Sequence, residues 1–112
     1  MHEIAVCEAI AATVRERAKG GTPALVRVRI GYLRQVVPDS LVFSWDMVIA
    51  GTDLDGCVLD VDYIPAVVAC PACGTSTTLE MPVLLCGGCD SADVQLISGN
   101  EFDLASFDVS VG

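Results

Sequence analysis

Residues 25–33 read LVRVRIGYL (Leu25 to Leu33). Val26, Val28 and Ile30 alternate with Arg27 and Arg29, so a two-residue period places three β-branched side chains on one face and the guanidiniums on the other. This is the pattern of a β-strand with one wet face and one face that needs cover. The segments on either side of it decide what supplies that cover.

On the N-terminal side, Ile4, Cys7, Ile10, Ala11, Val14 and Ala18 recur at steps of three and four, which sets them on one face of a helix. Arg15, Arg17 and Lys19 fall where cations suit the helix dipole, and Gly20-Gly21 followed by Pro23 provides the stop. On the C-terminal side, VVPDS leads into Leu41, Trp45, Val48 and Ile49, again at helical spacing. Asp39 or Ser40 is the expected cap, and Gly51 the expected end.

TDLDG is a turn, and CVLDVDYI (Cys57 to Ile64) returns to alternation, with Leu59, Val61 and Tyr63 against Asp60 and Asp62. At the end, FDLASFDVSV alternates more weakly, with Ala105, Phe107 and Val109 opposed by Ser106 and Asp108, and is expected to return to the sheet. Between them, residues 65–100 hold two cysteine pairs and four of the ten glycines but little periodicity. The expected order is helix, strand, helix, strand, module, strand. The expected fold class is α+β: two helices on a three-stranded sheet from residues 1–64 and 101–112, with 65–100 inserted as a zinc-ribbon-like module.

The module's cysteines are Cys70-Pro-Ala-Cys73-Gly and Cys86-Gly-Gly-Cys89, a C-x2-C-x12-C-x2-C arrangement. Two residues between cysteines let one tight turn aim both sulfurs at a single ion, and two such turns complete a tetrahedron. Four thiolates leave no open position for water, so the role expected is structural zinc; iron suits the same cage. Two disulfides or a redox-active C-x-x-C are the alternatives, weaker for a chain with two pairs at ribbon spacing. Cys7 and Cys57 sit on apolar faces and are assigned to the core.

The chain has 112 residues, enough for one compact domain with a small appendage. No apolar stretch approaches the ~20 residues needed to cross a bilayer. The N-terminus carries no basic segment followed by a continuous apolar stretch, so a cytoplasmic location is expected. Net charge is −9, and all six Arg and Lys lie between Arg15 and Arg34, which argues against nucleic acid as a partner.

The only histidine is His2, in Met1-His2-Glu3. The terminal amine, the amide nitrogen of His2 and its imidazole can close adjacent chelate rings in a plane, the preference of Ni(II) and Cu(II). A histidine at a chain terminus is also commonly just solvated. Residue type alone leaves both readings standing.

Taken together, Met-His-Glu running into an amphipathic helix, VRVRIG, VVPDSLVFSWDMV, a Gly-Thr turn, an alternating strand and CPACG followed by C-x-x-C resemble the HypA family of hydrogenase-maturation nickel metallochaperones. The resemblance covers essentially the whole chain. It implies nickel held at the N-terminus with His2 as the defining ligand, and zinc held by Cys70, Cys73, Cys86 and Cys89. It implies a small nickel domain with a zinc module inserted before the last strand. It implies as partners a nickel-handling GTPase, a hydrogenase large-subunit precursor and, in some organisms, the urease accessory proteins; the sequence leaves monomer and homodimer both open. An acidic residue that approaches nickel in some members aligns here with Val37, with Asp39 nearby, and the module lacks the histidine that others contribute.

The function expected is therefore delivery of Ni2+ as cargo, with Zn2+ structural and no catalysis. A zinc-ribbon adaptor without nickel delivery is the alternative. A metalloenzyme ranks below both, because catalytic zinc keeps an open position and no P-loop, G-x-S-x-G or dinucleotide fingerprint is present.

Overall fold

The computed structural model describes the backbone of residues 3–110 and the side chains of residues 3–108. The order of elements is α1 (Glu3–Ala18), β1 (Thr22–Gly31), a 3-10 turn (Tyr32–Arg34), α2 (Pro38–Ile49), β2 (Val58–Ile64), β3 (Val67–Ala69), β4 (Ser76–Thr78), β5 (Gln95–Ser98) and β6 (Phe102–Ser110). The expected mixed α+β fold is present, with two helices, a three-stranded sheet β2-β1-β6 and a second small sheet β4-β3-β5. The chain divides into two compact units. One comprises the segments through Arg29, Val36–Asp62 and from Asp103 onward; the other comprises Ile30–Gln35 and Tyr63–Phe102.

In the first unit, α1 buries Val6, Cys7, Ile10, Ala11 and Val14. Ile4, expected on that stripe, is 49% exposed. It borders an open groove lined also by Glu3, Ala5 and Glu8 of α1 and by Ser44 of α2. The helix ends with Lys19 and Gly20 at φ 49° and 86°, one residue before the expected Gly20-Gly21 stop, and the Gly21 N–H donates to the Ala18 carbonyl at 3.0 Å.

The helix α2 begins differently from expectation. Its N-cap is Val37, which makes no side-chain capping bond, and Pro38 occupies the start of the helix. Proline's fixed φ suits the first helical position, where its missing N–H costs nothing. Asp39 therefore lies inside the first turn, complementing the dipole rather than capping. Leu41, Trp45 and Ile49 are buried as expected.

Two polar contacts tie the helices to the rest of this unit. The Cys7 thiol faces the Leu41 carbonyl at 3.4 Å, and the indole N–H of Trp45 donates to the Cys57 carbonyl at 2.9 Å. The strand β1 lies at the centre of its sheet and buries Val26, Val28 and Ile30. Its wet face pairs Arg27 with Asp60 of β2 at 2.9 Å and Arg29 with Asp103 of β6 at 3.6 Å. These exposed pairs order the face more than they stabilise it. In β6 the half-buried residues are Phe102, Leu104 and Phe107, while Ala105, expected to share a face with Phe107, is exposed. The two-residue alternation breaks between Leu104 and Phe107.

In the second unit, β3 pairs antiparallel with β4, Val68 opposite Thr77, and with β5, where the register shifts between Val67 and Val68. The sequence pattern reads this region as loops because strands of three and four residues are too short to display a period. Its core is small: Ala66, Val68 and Leu79, with Tyr32, Leu33 and Val94 packed against them. Gly31 and Gly99 cross with almost no space between them, since a Cβ on Gly31 would stand 2.1 Å from the Gly99 carbonyl carbon. Backbone bonds at 2.8 Å from Gly31 to Glu101 and from Leu33 to Gly99 fasten the crossing.

Among the described residues, no helix is long and apolar enough to cross a membrane.

Candidate metal centre

Two turns of the same design carry the four cysteines. In the first, the Cys70 N–H donates to the Thr75 carbonyl at 3.0 Å, and the Gly74 N–H returns to the Cys70 carbonyl at 2.8 Å. In the second, the Cys86 N–H donates to the Ser91 carbonyl at 2.9 Å, and the Asp90 N–H returns to the Cys86 carbonyl at 3.0 Å. The residue after the second cysteine of each pair adopts the left-handed conformation, Gly74 at φ 76° and Asp90 at φ 59°. Glycine takes that conformation without strain, and Asp is among the few other residues that tolerate it. The glycines of Cys86-Gly-Gly-Cys89 have a different use. Gly87 and Gly88 let the turn lie against Thr77 and Thr75, whose side chains a Cβ would meet at 3.0 and 3.1 Å.

The turns bring all four sulfurs within 4.8 Å of one another. Cys70 lies 3.6 Å from Cys89, and Cys73 lies 3.4 Å from Cys86. A disulfide needs sulfurs at ~2.05 Å, so these are free thiols converging on a point. A tetrahedron with Zn–S bonds of ~2.3 Å has edges of ~3.8 Å, close to the separations found. Cys70 and Cys86 are buried, while Cys73 and Cys89 are exposed.

Polar hydrogens are already aimed at the sulfurs. The N–H groups of Gly88 and Cys89 point to Cys86 Sγ at 3.3 and 3.4 Å. The hydroxyl and N–H of Thr75, aided by the neighbouring Cys86 and Cys70 thiols, bring Cys73 down to about 6. Cys89 goes the other way: the Ser91 N–H favours its thiolate, but the three sulfurs around it prevail and push it up to about 12. Thiols this close cannot all ionise without a cation among them. The donor set fits a structural zinc ion, whose charge removes that conflict.

Sequence spacing identifies the four sulfurs but not the donors around them. Thr75, Ser91 and Asp90 carry a signal only when the two turns are aligned, Cys-x-x-Cys-Gly-Thr against Cys-x-x-Cys-Asp-Ser. Cys7 and Cys57 belong to the first unit and are not part of the cluster; both are buried, and burial raises both thiols, Cys7 to about 11. His2 lies outside the described residues. Glu3, next to it, opens α1 and lines the groove with Ile4, Ala5, Glu8 and Ser44. Val37 is the N-cap of α2, and Asp39 is exposed.

A small α+β fold with a closed four-thiol site defines a protein whose fixed metal is scaffolding. The model of the HypA family, described as hydrogenase/urease nickel incorporation, metallochaperone, matches residues 1–109. A hydrogenase maturation factor HypA from Nostoc sp. PCC 7120 is 35% identical over 109 residues, covering 97% of this chain and 96% of the relative. One from Streptomyces avermitilis is 37% identical over 111 residues, covering 95% and 85%. The solution structure of the Ni metallochaperone HypA from Helicobacter pylori shares the fold, with a TM-score of 0.65 at 23% identity and 97% of each chain covered. The chain belongs to the HypA family of nickel-incorporation metallochaperones.

Proposed function

We infer that this chain binds Ni(II) at its N-terminus through His2 and delivers it to the large-subunit precursor of a [NiFe] hydrogenase. The observation that carries the reading is membership of a nickel-incorporation family by a chain whose only histidine stands at position 2. Nitrogen donors from the Met1 amine, the His2 amide and its imidazole suit the planar preference of Ni(II). The nickel-binding domain comprises residues 1–64 and 101–112, and the zinc module residues 65–100. Glu3, Asp39 or a residue of a partner protein completes the nickel shell.

Zinc is held in this reading by Cys70, Cys73, Cys86 and Cys89, and when bound it supplies a crosslink between the two turns. The thiolates accept the N–H bonds of Gly88 and Cys89, and Thr75 steadies Cys73. With all four positions taken by sulfur, this site does not exchange cargo. Nucleotide hydrolysis belongs to the GTPase partner, the chain works in the cytoplasm, and urease accessory proteins are a second set of partners. The test mixes the nickel-loaded chain with purified hydrogenase large-subunit precursor and counts nickel on the precursor after separation. Wild type transfers it and His2→Ala does not; transfer by both would remove His2 as the nickel ligand, and transfer by neither would leave only a zinc-ribbon adaptor.

A further inference from the structure

The second sheet ends in an open edge beside an exposed apolar run. The order is β4-β3-β5, so among the described residues no strand lies on the outer side of β4. The bonds from Leu79 to the Ala66 carbonyl at 2.8 Å and from Cys70 to the Thr75 carbonyl at 3.0 Å fix the phase of the β3–β4 ladder. With Val68 opposite Thr77, residues 75, 77 and 79 turn their backbone groups toward β3. Ser76 and Thr78 therefore turn their N–H and C=O groups outward.

Next to that edge runs Met81-Pro82-Val83-Leu84-Leu85, with Met81 67% and Val83 49% exposed. Thr77, Thr78, Leu79, Met81, Val83 and Leu85 line one groove. An unpaired strand edge beside exposed apolar side chains is the arrangement that receives an added strand from another chain. The charges select which chain. Every charged residue from Tyr63 to Phe102 is acidic: Glu80, Asp90, Asp93 and Glu101, with Glu80 lining the groove itself. A second copy pairing through this same edge would bring Glu80 against Glu80.

We propose that the free edge of β4 and the Met81–Leu85 run form a docking groove for an extended segment of a partner protein, apolar at alternate positions and flanked by Lys or Arg. The segment pairs with Ser76 and Thr78, its apolar side chains cover Met81, Val83 and Leu85, and its cation meets Glu80. This surface goes beyond the nickel reading and does not depend on it.

The experiment pans the zinc-loaded full chain against phage displaying random dodecapeptides. Enriched peptides alternate apolar residues and carry a terminal Lys or Arg. Thr78→Pro removes an outward N–H at an edge position where proline is tolerated, and weakens those peptides by about tenfold or more. Met81→Asp, on an exposed side chain, does the same, each variant keeping the zinc content of wild type. His2→Ala leaves peptide binding unchanged, which separates failure here from failure of the nickel site. No enriched family, acidic-flanked peptides, indifference to both variants, or self-association of wild type through this edge would overturn the proposal.

Discussion

Cys7 shows how a residue's surroundings decide its chemistry. It lies fully buried on α1, its thiol against the Leu41 carbonyl, and burial followed by the charges of Glu3 and Glu8 pushes it up to about 11. The folded state thus holds the neutral thiol more tightly than the unfolded chain does. That contribution is fully present below pH 9 and fades as pH climbs toward about 11. Urea unfolding followed from neutral to alkaline pH should show wild type losing stability over that window more steeply than Cys7→Ala; parallel curves would mean the thiol is not held by the fold. Its assignment to the core was legible from helical spacing alone. The role of Asp39 was not, because an acidic residue just before an apolar run looks the same whether it caps the helix or sits in its first turn. Pro38 settles the matter, since its fixed φ starts the helix one residue earlier.

Among the elements, β1, α2 and β2 announce themselves because each is long enough to show its period and each has one wet face. Three features escape such reading. β3, β4 and β5 are too short for a pattern; Ala105 of β6 is too small to mark a face; and the Gly31–Gly99 crossing joins residues far apart in sequence. The glycines nonetheless differ in a way that can be measured. Gly56 holds φ 87° with open space around it, so Gly56→Ala should cost about 1 kcal/mol of left-handed strain. Gly31→Ala would drive a methyl into the Gly99 backbone and should cost about 3 kcal/mol or more. Equal unfolding midpoints for the two variants would refute the close approach. In the candidate site, the four sulfurs were legible from spacing, while the hydrogens aimed at them depend on turn geometry that spacing leaves open.

At the scale of the molecule, the two units differ in what holds them together. The first buries Trp45, Leu41, Leu54, Val14 and Val26 completely; the second has three buried apolar residues at its centre, Ala66, Val68 and Leu79, and four converging thiols. Metal binding can supply on the order of 10 kcal/mol to such a segment. Stripping zinc with a chelator should accelerate amide exchange of Val67–Ala69 and Gln95–Ser98 by about 100-fold, with the amides of α1 and α2 far less affected. Uniform exchange before and after chelation would mean the module stands without its ion. The division of labour proposed is a fixed metal that builds and a mobile metal that is handed on. Its most direct test is equilibrium titration of Ni(II) into the zinc-loaded chain, wild type against His2→Ala. The account predicts one nickel bound by wild type and that binding lost in the variant; equal affinity in the two would contradict it.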